Sequence, residues 1–536
     1  MKKLLLLSIF AIFCAKVTYA QDINPLDLEF QRLYVRRFIF SNNISLSEFK
    51  PSEIVAFASM HPAFAVSNDN KPLNDETFNA KIIGGNLVFD ATCGNYPASF
   101  YVGGVNPYAT YEIDIVSADT TGNQHPEVGF ELARLGLRDK VQIVATLSGK
   151  GKGIYLRIYK NAVLEHETKY SDFVPPNPFK LRIQLYGCAL GVFTEENGVS
   201  TYIGHVRGKE GGNESFSELI DFRKLNVHKE CTFNLISNLQ GAVVIGGARS
   251  YLSAGIGQAD IRMISYEDLS PYMDDGRLWF TFSCRGIELD QSAQGVISMD
   301  PSVFDIRFEG MIVFDHGDGL LRNNIGSHLF YDRNAGEWRS FTCDFGGTAG
   351  IDQRFGTGLL TARSSKDPRR GFSVMQATRI EPDMMEGRNE DPCIFYDANT
   401  KKWKLLTSAF VNRNITSRTY ESDTWDGKYV PVALPISLNS TGTSVQKIGN
   451  KYYAFMGGQG NLRVHSFPDL ELLGELNLDL QPHWPKPAGR VWASIVPLPQ
   501  GYPHRYVLLT MDRPNFPGIT VPTWSYGALY YYGANP

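Results

Sequence analysis

The sequence predicts an all-β protein in two parts. Short runs of alternating or continuous β-forming residues recur along the chain, bounded by Gly, Asn, Asp or Pro. Aromatic residues make up 12% of it, and 50 Gly and 28 Pro punctuate it. One strand–turn–strand unit occurs twice, as SHLFYDRNAGEWRSFTCDF from Ser327 and NEDPCIFYDANTKKWKLLTSAF from Asn389. The interval from Phe330 to Phe395 equals that from Trp338 to Trp403. Self-similarity on this scale argues for antiparallel sheets repeated around an axis. The expected fold is an N-terminal β-sandwich of jelly-roll type followed by a C-terminal five-bladed β-propeller.

Residues 1–20 read as a secretory signal: Lys2 and Lys3, an apolar run from Leu4 to Cys14, and Thr18-Tyr19-Ala20 before the cut. The run is too short to span a bilayer, and no other stretch reads as a span. The expectation is an exported protein, periplasmic or extracellular. A net charge of −4 gives no basic footprint for nucleic acid. Beyond the signal lie Cys93, Cys188, Cys231, Cys284, Cys343 and Cys393, with no metal-ligand spacing, so isolated buried thiols are expected.

Residues 21–265 show strands such as GNLVFDATC, YATYEIDIVS, KVQIVATLS, GIYLRIYKN, FKLRIQLYG and CALGVFTEE. Helical patterns appear only around Glu131–Leu137 and Ser215–Phe222. Strands without βαβ alternation read as a two-sheet sandwich. Residues 266–536 divide into five strand-pair units. These are Ser270–Gly286, the two repeats, Ser444–Gly458 and Trp492–Arg513. Gly358–Val374 and Ser417–Val432 each read as a third strand, a turn and a fourth. Tyr526–Gly533 is expected to close the ring.

These units resemble those of the five-bladed propeller glycosidases, which include arabinanases, β-xylosidases and fructosidases. The matching residues are Glu390-Asp391-Pro392 before an inner strand, the FYD turns and the RSSKDPRRGF outer hairpin. The likeness covers the C-terminal half, and the first unit departs from the pattern with Ser270-Pro271. The N-terminal part is similar, by pattern alone, to concanavalin-A/laminin-G-like sandwiches. The resemblance implies paired-carboxylate hydrolysis of a plant or microbial polysaccharide. An arabinofuranoside-type substrate is favoured, with inversion at the anomeric carbon.

In a blade, the inner strand starts at the face where the second strand ends, so side chains from both places meet at one mouth. That geometry selects Glu390, Asp391, Arg285, Asp344 and Asp512. Loops feeding the same face add Asp318, Arg322, Glu386, His483, Trp484, Arg490 and Trp492. Acids of this kind suit glycoside hydrolysis, in which one carboxyl protonates the leaving oxygen and another activates water or attacks carbon. Asp391 leads, followed by Asp318, Glu386 and Glu390; the others are substrate contacts. Pro392 is expected to hold Asp391 extended. The plainer account of Asp391 is a cap bonded to a neighbouring blade, and of His328 a core histidine. No spacing predicts a metal or cofactor, although a structural Ca2+ on the axis stays open. The partner expected is an oligo- or polysaccharide. The alternative is a non-catalytic glycan-binding propeller.

Overall fold

The computed structural model describes residues 22–536 apart from 37–39, 55–63, 67–70, 73–78, 91–97, 120, 122–126, 135, 137, 207–215, 239–241, 287–291, 345–357, 381–387, 412–413, 458–461, 479–491 and 513–527. The signal segment therefore lies outside the described residues. The chain is all-β; among the described residues there are two short α-helices, Phe216–Leu219 and Leu225–His228. Glu131, where a helix is expected, belongs instead to the strand Glu127–Arg134. Its neighbours on either side, Lys140–Thr146 and Cys231–Asn238, take its backbone hydrogen bonds. Tertiary pairing overrides local propensity there.

Two eight-stranded antiparallel sheets make the sandwich. One is centred on Glu127–Arg134 and Cys231–Asn238, the other on Thr110–Ala118 and Phe179–Tyr186. Strand alternation explains how they pack. Leu181, Ile183 and Leu185 join Tyr111, Ile113 and Ile115 against Phe130, Leu132, Val141, Ile143, Phe233 and Leu235. Lys180, Arg182 and Gln184 consequently point to the opposite face of their sheet.

Five four-stranded blades follow. Their inner strands are Gly257–Met263, Ile325–Asp332, Arg388–Asp397, Thr441–Ile448 and Ser494–Pro497. Each lies beside the next and the last beside the first, which makes the ring. Blades 1 and 2 are also joined at their rims, where Asp305–Asp315 pairs in parallel with Gly371–Arg379. The repeated FYD has a mechanical reason. The Oδ1 atom of Asp332 accepts the N–H groups of Asn334 and Ala335, and Asp397 does the same for Asn399. Each Asp thereby shapes the turn between its two strands.

Two expectations need correction. The inner strand of blade 1 is Gly257–Met263, not the segment beginning at Ser270; in sequence it reads with the sandwich because it follows that part's last strand, Ala242–Leu252, with almost no break. The C-terminal Ala528–Ala534 is the third strand of blade 5 rather than the closing one. The fourth strand, which closes the ring, is Gln31–Arg36 from the N-terminus. The described cysteines Cys188, Cys231, Cys284, Cys343 and Cys393 are buried, and none of them is in a disulfide. Among the described residues, no helix is long and apolar enough to cross a membrane.

The two parts share a core. Tyr108 and Tyr186 of the sandwich pack with side chains of blades 1 and 5. Tyr108 Oη donates to the carbonyl of Leu321 at 2.7 Å, and the Leu321 N–H donates to the carbonyl of Arg223. Leu321 lies in the loop leading into the inner strand of blade 2, so the sandwich flanks one side of the mouth.

Candidate functional site

A device repeated at the mouth organises the site. Near the start of each inner strand stands a residue with positive φ: Asp260 (56°), Gly326 (69°), Asp391 (58°), Gly442 (64°) and Trp492 (67°). In blades 1 to 4 the ladder slips at this point, between Ala259 and Arg262, Ile325 and His328, Glu390 and Cys393, and Thr441 and Ser444. Such a bulge re-aims the residue it carries. Left-handed backbone suits Gly and is tolerated by Asp, but is unusual for Trp. Non-glycine residues held in this way tend to mark functional sites. Asp391 is thus not extended, as Pro392 had suggested, but left-handed.

Two of the five positions are carboxylates, and they face each other electrostatically. Asp260 is held from the second strand of its own blade. Ser283 Oγ donates to its Oδ2 at 2.6 Å and Arg285 Nη2 at 3.0 Å. Asp391 is 7% exposed. Its Oδ2 accepts Thr441 Oγ1 at 2.7 Å and the Gly442 N–H at 2.8 Å, both from blade 4. Burial, and then the charge of Asp260, push its carboxyl up to about 6 against those two hydrogen bonds. This is the perturbation expected of a functional carboxyl pair.

Two residues beyond each bulge, a side chain turns toward the axis: Arg262, His328, Cys393, Ser444 and Ser494 line a cavity of about 20 Å³, room for one water. Arg262 Nη2 donates to the carbonyls of Thr443 at 2.6 Å and Asp391 at 3.5 Å. Its Nε and Nη1 are buried with no hydrogen-bond partner among the described residues. Its guanidinium lies 4.6 Å from the centre of the Trp492 ring. A cation on the axis favours the ionised form of Asp391. His328 is fully buried and its pKa is driven down, by burial first and Arg262 second, so it is neutral. Its Nδ1 accepts the Ile394 N–H, which leaves Nε2 to donate to Ser265 Oγ.

The other expected residues fall differently. Glu386, His483, Trp484 and Arg490 lie outside the described residues, and the side chain of Asp512 is likewise not described. Asp318 and Arg322 form a two-pronged pair at 2.8 and 2.7 Å. Arg322 and burial act oppositely on Asp318; the former wins and lowers its pKa to about 2. A carboxyl held ionised in this way does not suit the proton donor's role. Arg322 is fully buried in this pair, which makes it a loop anchor rather than an open substrate contact. Trp492 is buried against Arg262 rather than displayed as a sugar platform. Asp344 is buried at the second-strand end of blade 2. Arg285 reaches the mouth through Asp260. Glu390 has the opposite side-chain parity to Asp391, and its carbonyl accepts Thr407 Oγ1. Sequence reasoning missed Asp260 and Arg262. The available signal was an Asp two residues before an Arg in a β-forming run, which reads as an ordinary strand.

The raised pKa of Asp391 sets up a stability test. Its unfolded value is about 3.8 and its folded value about 6. Protonation therefore favours the fold fully below about 3.8, and this advantage is lost as pH rises through 6. Above pH 7, ionised Asp391 costs roughly 3 kcal/mol, at about 1.4 kcal/mol per pKa unit. The Asp391→Asn variant should melt several degrees higher than the native chain at pH 7.5, with the gap closing toward pH 4. Equal gaps at both pH values would remove the buried-acid account.

No family model and no curated protein matches the chain. Solved structures overlap it in part. An α-L-arabinofuranosidase from Podospora anserina is 11% identical, covers 52% of this chain and 91% of its own, and scores a TM of 0.35. A family 117 glycoside hydrolase from the marine bacterium Zobellia galactanivorans is 10% identical, over 52% and 84%, at 0.35. An endo-β-1,3(4)-glucanase of family GH16 is 9% identical, over 42% and 95%, at 0.28. Likeness at this level assigns no activity.

Proposed function

We propose that the chain is an exported glycoside hydrolase whose site is the propeller mouth. One observation carries this: two carboxylates, Asp260 and Asp391, on bulged starts of inner strands, one locked by Arg285 and one with a raised pKa. Asp260 is the general base. It takes a proton from the water that attacks the anomeric carbon. The leaving oxygen is protonated as its bond to that carbon breaks. The donor is Glu386, on the segment that leads into the strand carrying Asp391. Asp391 tunes that donor: its own negative charge, present above pH 6, favours the donor's protonated form. Attack opposite the leaving group inverts the anomeric centre, which requires the acid and base to stand ~6.5–9.5 Å apart. The substrate is a plant or microbial polysaccharide, with arabinofuranosides favoured.

The test is sugar release from arabinans, xylans, fructans, mannans and galactans by the intact protein. Release from one polymer supports the hydrolase. Retention on a polymer in an affinity gel with no release supports the second reading, a glycan-binding propeller. That reading has one observation in its favour: the corresponding positions in blades 2 and 4 are Gly326 and Gly442, which bear no acid. If Asp391 must be ionised, the kcat/KM profile should fall below about pH 6.

A further inference from the structure

A second cavity lies on the sandwich, lined by residues that the mouth does not use. A cavity of about 540 Å³ opens on the outer face of the sheet holding Thr110–Ala118 and Phe179–Tyr186. Lys180, Arg182, Glu195, Arg249 and Tyr251 line it, and Phe40 forms its rim. Its size falls in the range of small-ligand pockets.

Its floor is a completed ionic network. Glu112 is 0% exposed. It accepts Arg182 Nε at 2.6 Å and Tyr251 Oη at 3.0 Å, with Arg249 also donating to it. Lys180 Nζ stands 3.5 Å away. Arg182 spends its remaining donors on Ser200 at 2.7 Å and Glu195 at 2.5 Å. Thus Lys180, Arg182 and Arg249 surround Glu112 and Glu195, and Asp114 acts electrostatically on Lys180 and Arg249 as well. Asp114, further along the strand of Glu112, is held toward its neutral form by burial. The cations are the more exposed part: the side chains of Arg249 and Lys180 are 39% and 30% exposed, and that of Glu195 is 15% exposed. Buried ionic networks gain little stability over apolar packing of the same volume. Stability alone therefore does not account for this one beneath an open cavity.

We propose that this cavity binds an acidic sugar residue, one bearing a carboxylate or a sulfate ester. Arg249 and Lys180 hold the anionic group, because charge-assisted hydrogen bonds to oxyanions are the strong ones. Ser200 and Glu195 meet ring hydroxyls. The rim segment of Phe40 and Asn43 runs from the closing strand of blade 5, Gln31–Arg36, into the sandwich strand Ile44–Phe49. The site is therefore built where the two parts of the chain are tied. The sugar half of this proposal rests on the hydrolase reading; the anion half rests on the cavity.

The test is calorimetric titration of the full chain with trigalacturonate, a sulfated galactan oligosaccharide, its desulfated neutral counterpart and inorganic sulfate. One acidic oligosaccharide should bind more tightly than the neutral counterpart. Which one it is separates uronate from sulfate ester. Arg249→Gln and Lys180→Gln should each weaken that binding about tenfold or more, as the loss of a hydrogen bond to a charged group does. Asp260→Asn should leave it unchanged. Lys180 sits at the edge of the network, so its variant serves if Arg249→Gln melts early. Equal binding of acidic and neutral sugars overturns the proposal. So does indifference to both substitutions, or inorganic sulfate binding as well as the oligosaccharide. Acidic binding without any hydrolysis would sink the hydrolase reading and leave this site standing.

Discussion

Asp260→Asn should lower polysaccharide hydrolysis by a hundredfold or more while the protein stays folded. The side chain keeps its shape, and an amide oxygen can still accept from Ser283 and Arg285. What disappears is the proton-accepting charge. General base catalysis contributes about 10²–10⁴ in rate, or roughly 3–5 kcal/mol of barrier. Asp391→Asn should also slow the enzyme, because it removes the charge that tunes the donor. Asp318→Asn is the control: an acid in the loop leading into blade 2 and already paired with Arg322 should change hydrolysis little. Full activity in Asp260→Asn would remove this residue from the chemistry. Loss in all three variants alike would point to a general disturbance of the mouth.

The sequence showed most clearly what is encoded locally and repeatedly. The FYD turns could be read because Asp332 and Asp397 bond backbone groups a few residues on. The outer hairpin around RSSKDPRRGF could be read because Ser, Pro and Gly punctuate it. Asp391 stood out because it adjoins a proline at a strand start. Asp260 had no such flag. Its bulge depends on pairing with Arg277–Arg285, and a positive φ leaves no mark in composition. Arg262 carries no local flag either, and ring closure is what turns it toward the axis. The inner strand of blade 1 merged with the sandwich because no linker separates them. The closing strand was missed for the same kind of reason. Its partner, Ala528–Ala534, lies at the far end of the chain, and only the three-dimensional ring brings them together.

That long-range closure leads to the second large effect. Deleting residues 22–36 should lower the melting temperature by on the order of 10 °C or more, or leave the chain aggregating. Leu28 and Phe30 are buried in the core of blades 4 and 5. Removing two such side chains costs roughly 1.5–3 kcal/mol each. The ladder to Leu529–Gly533 is lost as well, and so is the stacking of Tyr34 on Phe304 at 5.5 Å. A few kcal/mol in a large domain is about 2–4 °C each. The deletion also exposes the edge of ALYYYGA, an aromatic strand with unpaired backbone groups, which is a template for association. A synthetic peptide spanning residues 22–38 should therefore restore the transition when added in trans, by adding its strand to that edge. If the truncated chain melts at the native temperature without the peptide, the ring does not depend on this strand. If it is destabilised but the peptide has no effect, the loss lies in the covalent tie to the sandwich at Phe40–Asn43 rather than in the missing strand.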